Sequence, residues 1–573
     1  MNIFEHYQKK ILSIVKKNKD KLNLKKLNNF KGVVLESPPD NFDFDISSNL
    51  ALILAKLNGV NPHDLSQNIK ILISKNIKDF KEIEIAGPGF LNFGLSHKAL
   101  IKIINSIYKE NTKYGSQKSN LHYNIEFVSA NPTGPMHVGH CRGAIFGDTL
   151  SNLLKFNGNK ITREYYINDY GSQIKNFVKS VFLRIREIKF KENFPNDEDL
   201  YPGNYIKEIA GNILKKKKLK FKNFNDDYDF LYKESLKQSM EMIKSDLKKL
   251  GISHDKFVSE KSLVDADTVK KAINQLKKTK HVEEGFLEPP KGEEIKNWKK
   301  IKRLIFKSSF FGDDTDRALQ KNDGSWTYFA NDVAYHFNKV SRKYDKLVNV
   351  LGADHTGYLK RIKGAVSAIS QNKVNLECKV CQLVKLFKNG QPYKMSKRSG
   401  EFISVSELLE EVNKDSIRFM MLNRSNDVEL DFDFDKVLEK SKENPVFYVQ
   451  YCHARIKSLL RTIKYKPHKI RKIKSQDKEF NKYQRQIIRK ILDWPKIVQT
   501  SSKKYEPHRI PFYLYELSTI FHSYWSKGND DESYRFIKNG KISSENIIVI
   551  INLLLIVLKN GMAILNVSLP EKM

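Results

Sequence analysis

The chain has few cysteines, and this scarcity excludes several kinds of protein. Four cysteines in 573 residues argue against a disulfide framework and favour a reducing compartment. Cys378 and Cys381 form a CxxC pair, but no second cysteine or histidine pair stands near it. The apolar alternation around it predicts a strand, and a zinc site is the less favoured alternative. We therefore expect no tightly bound protein metal site.

The sequence also has no segment that predicts secretion or membrane insertion. Its N-terminus, MNIFEHYQKKILSIVKK, lacks the apolar core of a signal peptide. The longest apolar run, residues 547–558, is too short to span a bilayer and predicts a buried helix. These features predict a cytoplasmic protein with no membrane partner.

Acidic residues are scarce relative to basic ones. The chain has 66 Asp+Glu against 101 Lys+Arg, a formal net charge of +35. A field of this sign attracts polyanions and predicts salt-dependent binding of nucleic acid. The alternative is that lysine simply dominates the solvated faces. Hydrophobic residues make up 40% of the chain, which is enough to fold it into about three to five domains.

The pattern of apolar residues divides the chain into regions of different fold. Residues 1–118 combine helices with a strand–turn–strand motif, which predicts a small α+β domain. From 119 to 390, short buried strands alternate with helices as in a Rossmann-type parallel sheet, with an insertion at about 175–300. Residues 391–440 connect it to an all-α helical bundle at 441–573. The predicted fold class is multidomain α/β.

The common phosphate-binding motifs are missing: the sequence has no GxxxxGK[ST] and no clear GxGxxG. Instead, the stretch NPTGPMHVGH leads from a turn with Pro132 and Gly134 into a helix. A helix N-terminus at the carboxyl edge of a parallel sheet binds phosphate well, and His137 and His140 lie on one side of its first turn. Gly139 removes a side chain where a nucleotide would approach the backbone. Two ordinary capping or core histidines are the alternative.

A second phosphate-binding candidate lies in the stretch GQPYKMSKRSGEFISVSELL, at residues 390–409. Lys394 and Lys397, with Met395 between them, occupy a Gly-flanked loop that enters a helix. Two ammonium groups on such a loop can close over a triphosphate and hold the departing pyrophosphate in the transition state. The alternative is a lysine-rich surface turn.

Together, HVGH and KMSKR resemble the HIGH and KMSKS signatures of class I aminoacyl-tRNA synthetases. Within that class, IEFVSANPTGPMHVGHCRGAIFGDTL, GSWTYFANDVAYHF, LGADHTGY and the ending VSLPEKM resemble the arginyl-tRNA synthetase family. The resemblance runs essentially from end to end. One departure is Arg398 at the last position of the KMSKS-like loop, although both lysines are kept.

The resemblance implies which side chains bind arginine. Glu126 matches a carboxylate near the guanidinium or amino end of the substrate, and Asn131 matches an asparagine that holds its backbone. Tyr328 matches a tyrosine that packs on the arginine side chain, with core packing as the alternative. Asp332, four residues later and on the same helical face, matches the aspartate that pairs with the guanidinium. His137 is expected near the arginine as well as the nucleotide.

Asp354 and His355, in the stretch GADH, match the region where the family binds the ribose and adenine of ATP. Asp354 accepts from the ribose hydroxyls or contacts the substrate arginine, and these two roles stay open. The alternative is an ordinary turn after a strand. The N-terminal region resembles the family's domain that touches the outer corner of tRNA, with residues 43–56 and 90–92 in matching places.

The implied reaction joins arginine to ATP as arginyl-adenylate and then transfers arginine to the 3′-terminal adenosine of tRNA(Arg). Magnesium is expected to accompany ATP, and the family implies a monomer. The helical end resembles an anticodon-binding bundle, whose aromatic and basic side chains suit unpaired bases. Two alternatives remain open at this point. One is a class I synthetase for another amino acid, and the other is a non-catalytic RNA-binding paralogue.

Overall fold

The computed structural model describes residues 2–27, 30–39, 42–216, 220–287, 301–393, 403–465, 473 and 478–573, with the backbone alone for His355. These residues form two compact units. The first contains Met1–Gln117, Lys440–Lys504 and Arg509–Met573, and the second contains Lys118–Glu439 and Tyr505–His508.

The N-terminal part of the first unit is an antiparallel sheet with helices, in agreement with the α+β prediction. Its strands follow the order β1-β2-β4-β3. The predicted strand–turn–strand is the hairpin of the last two strands, and its turn depends on Gly87 and Gly89, which both have positive φ. The elements are α1 (Ile3–Lys17), β1 (Leu35–Glu36), β2 (Ile46–Ser48), α2 (Leu50–Asn58), α3 (Pro62–Asn76), β3 (Phe80–Ala86), β4 (Phe90–Leu95) and α4 (His97–Glu110).

The second unit is built on a parallel sheet, as the alternation of strands and helices predicts. Its strands are β5 (His122–Glu126), β6 (Lys160–Ile167), β7 (Lys256–Ser259), β8 (Val282–Gly285), β9 (Arg303–Phe306), β10 (Arg317–Ala318), β11 (Lys346–Gly352), β12 (Asn375–Cys381), β13 (Val384–Lys388), β14 (Gln391–Pro392) and β15 (Leu430–Asp433). Its helices are α5 (Val138–Phe156), α6 (Ser172–Phe190), α7 (Asn204–Lys216), α8 (Phe224–Lys249), α9 (Glu260–Asp265), α10 (Thr268–Lys278), α11 (Tyr328–Ser341), α12 (Leu359–Ser370), α13 (Val405–Glu411), α14 (Lys414–Met421) and α15 (Phe434–Leu438).

The strand order of the central sheet determines where a ligand can bind. The order is β12-β11-β5-β6-β7, and every neighbouring pair is parallel. The chain runs from β5 outward to β6 and β7, and later returns on the other side of β5 to form β11 and β12. The sheet therefore has a topological switch point between β5 and β11, where open α/β sheets bind their ligands. The CxxC pair lies in β12, as its alternation predicts.

The interruption predicted at about 175–300 contains a helical cluster and one strand of the sheet itself. Helices α6, α7 and α8 share a separate hydrophobic core that includes Phe177, Ile209 and Leu231. The next strand, β7, pairs with β6 at the edge of the sheet. The strands β8, β9 and β10 then form a small antiparallel sheet that packs near α10 and α12.

The C-terminal part of the first unit is helical, as predicted, apart from one short hairpin. Its elements are α16 (Pro445–Thr462), α17 (Lys482–Lys504), α18 (Arg509–Asp530), β16 (Ile537–Lys538), β17 (Lys541–Ile542) and α19 (Glu545–Leu565). Helix α19 is long and apolar enough to cross a membrane by length and composition alone, but 83% of its most apolar stretch is buried inside the protein. This agrees with the prediction of a buried helix. Helix α19 is longer than the predicted apolar run of residues 547–558.

The acidic stretch after residue 43 holds the two parts of the first unit together. Asp45 is 2% exposed and accepts hydrogen bonds from Arg489 Nε at 3.0 Å and from Leu95 N at 2.7 Å. Asn92 is buried as well, whereas Phe90 is exposed. Within the stretches matched to tRNA contact, Asp45 therefore has structural partners inside the protein, and Asn92 is buried.

We expect the contact between Gly115 and Trp494 to be intolerant of a side chain. Gly115 has φ +91, and a Cβ there would lie 2.5 Å from Nε1 of the fully buried Trp494. Gly115→Ala combines this overlap, which typically costs about 1–3 kcal/mol, with backbone strain. Gly59→Ala is the matched control, because Gly59 has φ +66 and open space around its Cβ position. Thermal unfolding should give a lower Tm for Gly115→Ala, and equal Tm values would contradict this packing.

Candidate active site

A cavity of about 570 Å³ opens at the switch point, beside the carboxyl ends of β5 and β11. Polar and aromatic side chains from five segments of the second unit surround it. They include Glu126, Asn131, Tyr166, Glu260, Tyr328 and Asp332. Four of the six residues predicted to bind arginine, Glu126, Asn131, Tyr328 and Asp332, are therefore brought together in this cavity, whereas His137 and Asp354 are not among its lining residues.

The chain makes a strained turn as it leaves β5. Val128 has φ +72 and Ser129 has φ +41, which is unfavourable for both and rare for a β-branched residue. Ser129 Oγ donates to Glu126 Oε1 at 3.1 Å and accepts from Tyr166 N at 3.1 Å. These bonds tie the turn to β5 and β6, so the strain is held beside the cavity.

Glu126 lies at the end of β5, as expected, but its carboxylate already has a cationic partner. Lys339 Nζ donates to Glu126 Oε2 at 2.5 Å and to Asn349 Oδ1 at 2.9 Å. Lys339 is fully buried and Glu126 is 6% exposed. The negative charge of Glu126 is therefore neutralised inside the protein before any substrate arrives.

Helix α11 presents Tyr328 and Asp332 to the cavity. Tyr328 is its first residue and is 69% exposed, whereas the neighbouring Phe329 is 6% exposed and belongs to the core. The core-packing alternative therefore applies to Phe329 and is wrong for Tyr328. The carboxylate of Asp332 accepts a hydrogen bond from the hydroxyl of Tyr358.

Asn131 takes part in a network of amides at the rim of the cavity. Its Nδ2 donates to Gln173 Oε1 at 2.9 Å, and its Oδ1 accepts from Asn168 Nδ2 at 2.9 Å. Asn131 itself is exposed. The network fixes the orientation of an amide that can contact a polar ligand.

His137 and His140 cap the N-terminus of α5. His137 Nδ1 accepts from Gly139 N at 3.1 Å, and His140 Nδ1 accepts from His137 N at 3.3 Å. The centroids of the two rings lie 3.8 Å apart, and the ring planes are tilted by 34°. The capping role that stood as the alternative is thus present. It is compatible with ligand binding, because a ring that accepts at Nδ1 carries its proton at Nε2.

Burial favours the neutral form of both rings. Burial lowers the pKa of His137, and burial together with the nearby His137 lowers the pKa of His140 to about 3. A neutral imidazole with its proton on Nε2 is an N–H donor with no positive charge of its own. The pair can therefore donate hydrogen bonds to an anionic ligand, next to the positive end of the helix dipole.

The glycines and proline of this turn have structural partners. A Cβ on Gly134 would lie 2.9 Å from the ring of Tyr205, and a Cβ on Gly139 would lie 2.9 Å from the ring of His137. Pro132 is buried. Gly134 therefore allows α7 to approach the turn, and Gly139 makes room for the capping ring.

The segment that follows the lysine loop pairs with the HVGH segment. Val138 N donates to Ile403 O at 2.8 Å, and Val405 N donates to Met136 O at 2.9 Å. Ile403 is the residue directly after the loop, of which Lys394, Met395 and Lys397 lie outside the described residues. The backbone thus joins the HVGH motif at the start of α5 to the segment that begins at Ile403, about 250 residues later in sequence.

Asp246, at the end of α8, fixes this junction. Its Oδ2 accepts from Met136 N at 3.1 Å, and its Oδ1 accepts from Ser406 Oγ at 3.1 Å. Burial raises the pKa of Asp246, and the bonds from Met136 and Ser406 oppose that shift. One carboxylate therefore binds the residue before His137 and a residue of α13.

Asp354 and His355 follow the last residue of β11 in a 3₁₀ helix, Ala353–Tyr358. Asp354 is exposed, and a Cβ on Gly352 would lie 2.6 Å from its Oδ1. Asp354 is therefore close to the end of the strand, beside the switch point. For His355 the structure gives the backbone position only.

A second cavity, of about 620 Å³, adjoins the first and shares Tyr170, Ser172 and Tyr328 with it. Aromatic rings and lysines make up much of its wall, which includes Tyr228, Tyr232, Trp326, Lys175, Lys261 and Lys321. Within the described ranges, no group of three or more His, Cys, Asp or Glu side chains is arranged to hold a metal ion.

Three family models match consecutive parts of the chain. The arginyl tRNA synthetase N terminal domain matches residues 5–95, the catalytic domain of class I tRNA synthetases (R) matches 103–460, and the DALR anticodon binding domain matches 449–573. The chain belongs to the arginyl-tRNA synthetase family. Its activity is the ATP-dependent ligation of arginine to tRNA.

Relatives with this activity match along their whole length. The arginine–tRNA ligase of Pelagibacter ubique is 50% identical over 578 residues, and that of Roseobacter denitrificans is 41% identical over 585, with 100% of each chain covered in both cases. The arginyl-tRNA synthetase structure from Thermus thermophilus has a TM-score of 0.73 at 19% identity, covering 99% of this chain and 100% of its own. The structure from Plasmodium falciparum has a TM-score of 0.70 at 17% identity, covering 99% of both. The structures support the fold.

Several residues of this synthetase site had not been predicted from sequence. Lys339, Tyr166, Glu260 and Asp246 all lie in or beside the site, and none belongs to a motif. A lysine within a helix, or an aspartate near a helix end, is ordinary in so basic a chain. Lys339, Glu260 and Asp246 stand out because each is a charged side chain that is buried. Burial depends on the tertiary fold, so the sequence alone does not show it.

We expect the Glu126–Lys339 pair to matter for stability. Lys339→Met leaves a buried carboxylate without its cation, which typically costs about 3–5 kcal/mol, and adding Glu126→Gln should restore most of the loss. Lys385→Met is the control, because Lys385 pairs with Glu429 on the surface and should change little. The measurement is the urea midpoint of unfolding for these three variants and wild type. The assignment fails if Lys339→Met unfolds at the wild-type midpoint.

Proposed function

We propose that the chain activates L-arginine with ATP and Mg²⁺ at the switch-point cavity and transfers the arginyl group to the 3′-terminal adenosine of tRNA(Arg). The observation that carries this proposal is the backbone pairing of Ile403 and Val405 with Val138 and Met136. It supports a site in which the HVGH helix start and the lysine loop act on the same triphosphate.

The start of α5 supplies the fixed part of the proposed ATP site. His137 and His140 offer neutral Nε2–H donors, and the backbone N–H groups of the first turn add the positive end of the helix dipole. Pro132, Gly134 and Gly139 shape the turn that holds them. Such donors are oriented before the reaction, so they stabilise charge on the α-phosphate without reorganising.

Lys394, Met395 and Lys397 are proposed as the closing part of the ATP site, and Asp354 and His355 as its ribose and adenine side. As the arginine carboxylate attacks the α-phosphate, pyrophosphate departs with growing negative charge, which two ammonium groups stabilise. Magnesium is expected to come with the triphosphate oxygens.

The arginine would lie between β5 and α11. Asp332 is the proposed partner of the guanidinium, Tyr328 packs on the side chain, and Asn131 holds the backbone. His137 and Asp354 stand at the end where the arginine carboxylate meets ATP. Glu126 keeps its predicted place beside the arginine, although Lys339 already occupies its carboxylate.

The second cavity is a proposed entry for the 3′ end of the tRNA. It shares Tyr328 with the arginine cavity, so a nucleotide there would stand beside the activated arginine. Its tyrosines and Trp326 suit base stacking, and its lysines suit phosphate. All four cysteines are free thiols, which supports the cytoplasmic assignment. The monomeric state rests on the resemblance.

Asp332→Asn tests the amino-acid assignment. Removing the charge of a buried partner usually costs about 2–5 kcal/mol, so kcat/KM for arginine should fall by about thirtyfold to a few thousandfold. The KM for ATP should stay unchanged, because Asn has nearly the same shape. The measurement is arginine-dependent ATP–pyrophosphate exchange with tRNA present, for wild type, Asp332→Asn and Glu126→Gln. If wild type activates lysine or glutamate in place of arginine, the amino-acid assignment is wrong.

Lys397→Ala tests the loop. We expect adenylate formation to slow by about a hundredfold or more while arginine affinity changes little, since a contact to transition-state charge is lost. Lys385→Ala, which removes a surface lysine on β13, is the matched control and should keep the wild-type rate. Rapid-quench measurement of the first turnover separates chemistry from binding. A wild-type rate for Lys397→Ala would remove the loop from the mechanism.

A further inference from the structure

The side chain of Arg142, in α5, is a buried cation that bonds to backbone carbonyls. Arg142 is 2% exposed. Its Nη1 donates to Gln382 O at 3.0 Å and to Val428 O at 2.7 Å, and its Nη2 donates to Ser425 O at 2.7 Å. Burying a charge is costly. A guanidinium that spans three carbonyls therefore indicates a contact that the fold or the reaction requires.

The three carbonyls belong to two segments that lead into one small sheet. Gln382 lies between β12 and β13, whereas Ser425 and Val428 lie between α14 and β15. Strands β13 and β15 pair with each other in parallel. Gln382 N also donates to Asn426 O at 2.8 Å, so the two segments are bonded to each other as well. Arg142 therefore holds the chain at the entrance to both strands.

This small sheet carries the start of the lysine loop. Strand β14 pairs antiparallel with β13. Tyr393, the last described residue before the loop, donates from its backbone N to Leu386 O of β13 at 2.8 Å. Its ring meets that of Phe434, directly after β15, edge to face with centroids 5.3 Å apart. The position at which the loop begins is therefore set by β13 and β15.

The segment after the loop is fixed to the same helix. At the first turn of α5, Val138 N donates to Ile403 O at 2.8 Å, and Arg142 follows in the next turn of that helix. Helix α5 therefore carries the two histidines of the HVGH motif at its N-terminus and bonds the segments on both sides of the lysine loop.

We propose that Arg142 is a positioning residue for adenylate formation, because it sets the place of β13 and β15, and with them the start of the lysine loop, relative to His137 and His140. This proposal rests on the function proposed above, since Arg142 acts through the loop lysines. A planar guanidinium bonds several carbonyls at once, whereas the ammonium of lysine is a compact point charge. Arg142 is not among the described lining residues of either cavity. Its loss should therefore impair transition-state stabilisation and leave substrate binding intact.

Arg142→Lys tests the proposal, because it keeps the positive charge and loses the grip on three carbonyls. In rapid-quench measurements with tRNA present, adenylate formation should slow by about tenfold to a hundredfold, since a small misplacement of charged groups is costly. The KM values for arginine and ATP should stay within about twofold of wild type. Arg184→Lys is the matched control. Arg184 is also buried and donates to a backbone carbonyl, Pro202 O at 2.9 Å, within the helical cluster of the insertion, so this variant should lower Tm and keep the wild-type rate.

A double-mutant cycle with Lys397→Ala separates positioning from a general structural role. With Lys397 already removed, its misplacement costs nothing, so adding Arg142→Lys should slow the reaction further by about threefold or less. Asn426→Ala is a milder second variant. Asn426 Nδ2 donates to Val380 O at 2.8 Å and steadies the segment that accepts two of the Arg142 bonds. It should slow adenylate formation by about twofold to tenfold, and this effect should also shrink when Lys397 is absent.

The possible results separate this inference from the function it builds on. If Arg142→Lys reacts at the wild-type rate, or slows the reaction by the same factor with and without Lys397, the inference is overturned. An equal slowing in Arg184→Lys also overturns it, because lower stability would then explain the effect. If Arg142→Lys does not fold, the cycle with Asn426→Ala decides by the same criterion. If Lys397→Ala reacts as fast as wild type, the proposed function is itself in error and the inference falls with it.

Discussion

The buried ammonium of Lys339 holds the site together. From α11 it bonds Glu126 at the end of β5 and Asn349 in β11, the two strands on either side of the switch point. Asn349 Nδ2 in turn donates to His336 Nε2 at 3.0 Å, and His336 Nδ1 donates to the carbonyl of Asp332 at 2.8 Å. Burial lowers the pKa of His336 to about 3, with Lys339 adding to the shift, so it stays neutral in this chain of bonds. The helix that carries Tyr328 and Asp332 is thereby fixed against both strands.

This network accounts for a division of roles among the acidic residues. A carboxylate inside a protein needs a cation or several donors to be stable. Glu126 has its cation from within the protein and joins a helix to a strand. Asp246 has donors from the HVGH segment and from α13 and fixes the junction between these two segments. Glu260 and Asp332 line the same cavity as Tyr166, where Glu260 accepts a bond from Asn331 and Asp332 accepts one from Tyr358.

Local sequence patterns predicted the elements but not their partners. The HVGH turn and the hairpin before Leu95 are set by residues close in sequence, so their positions could be read from spacing and from glycine and proline. The stretch WTYFANDVAYHF has the apolar and aromatic composition of a strand, yet it forms the helix that begins at Tyr328. Lys339 and Glu126 are 213 residues apart, and no local pattern marks that pair. For the same reason β7 could not be assigned to the sheet, since its only strong signal is the pairing with β6.

The chain combines a strongly basic surface with an acidic cavity, and the two act over different distances. A net charge of +35 favours the approach of a polyanion such as tRNA and of a triphosphate. Taken alone it would repel arginine, yet charges on the surface are screened within about 8 Å at physiological salt. Inside the cavity, water is displaced and the nearest charges dominate. On the function proposed above, a carboxylate of the cavity such as Asp332 can therefore select a cation in a protein whose outer field selects anions.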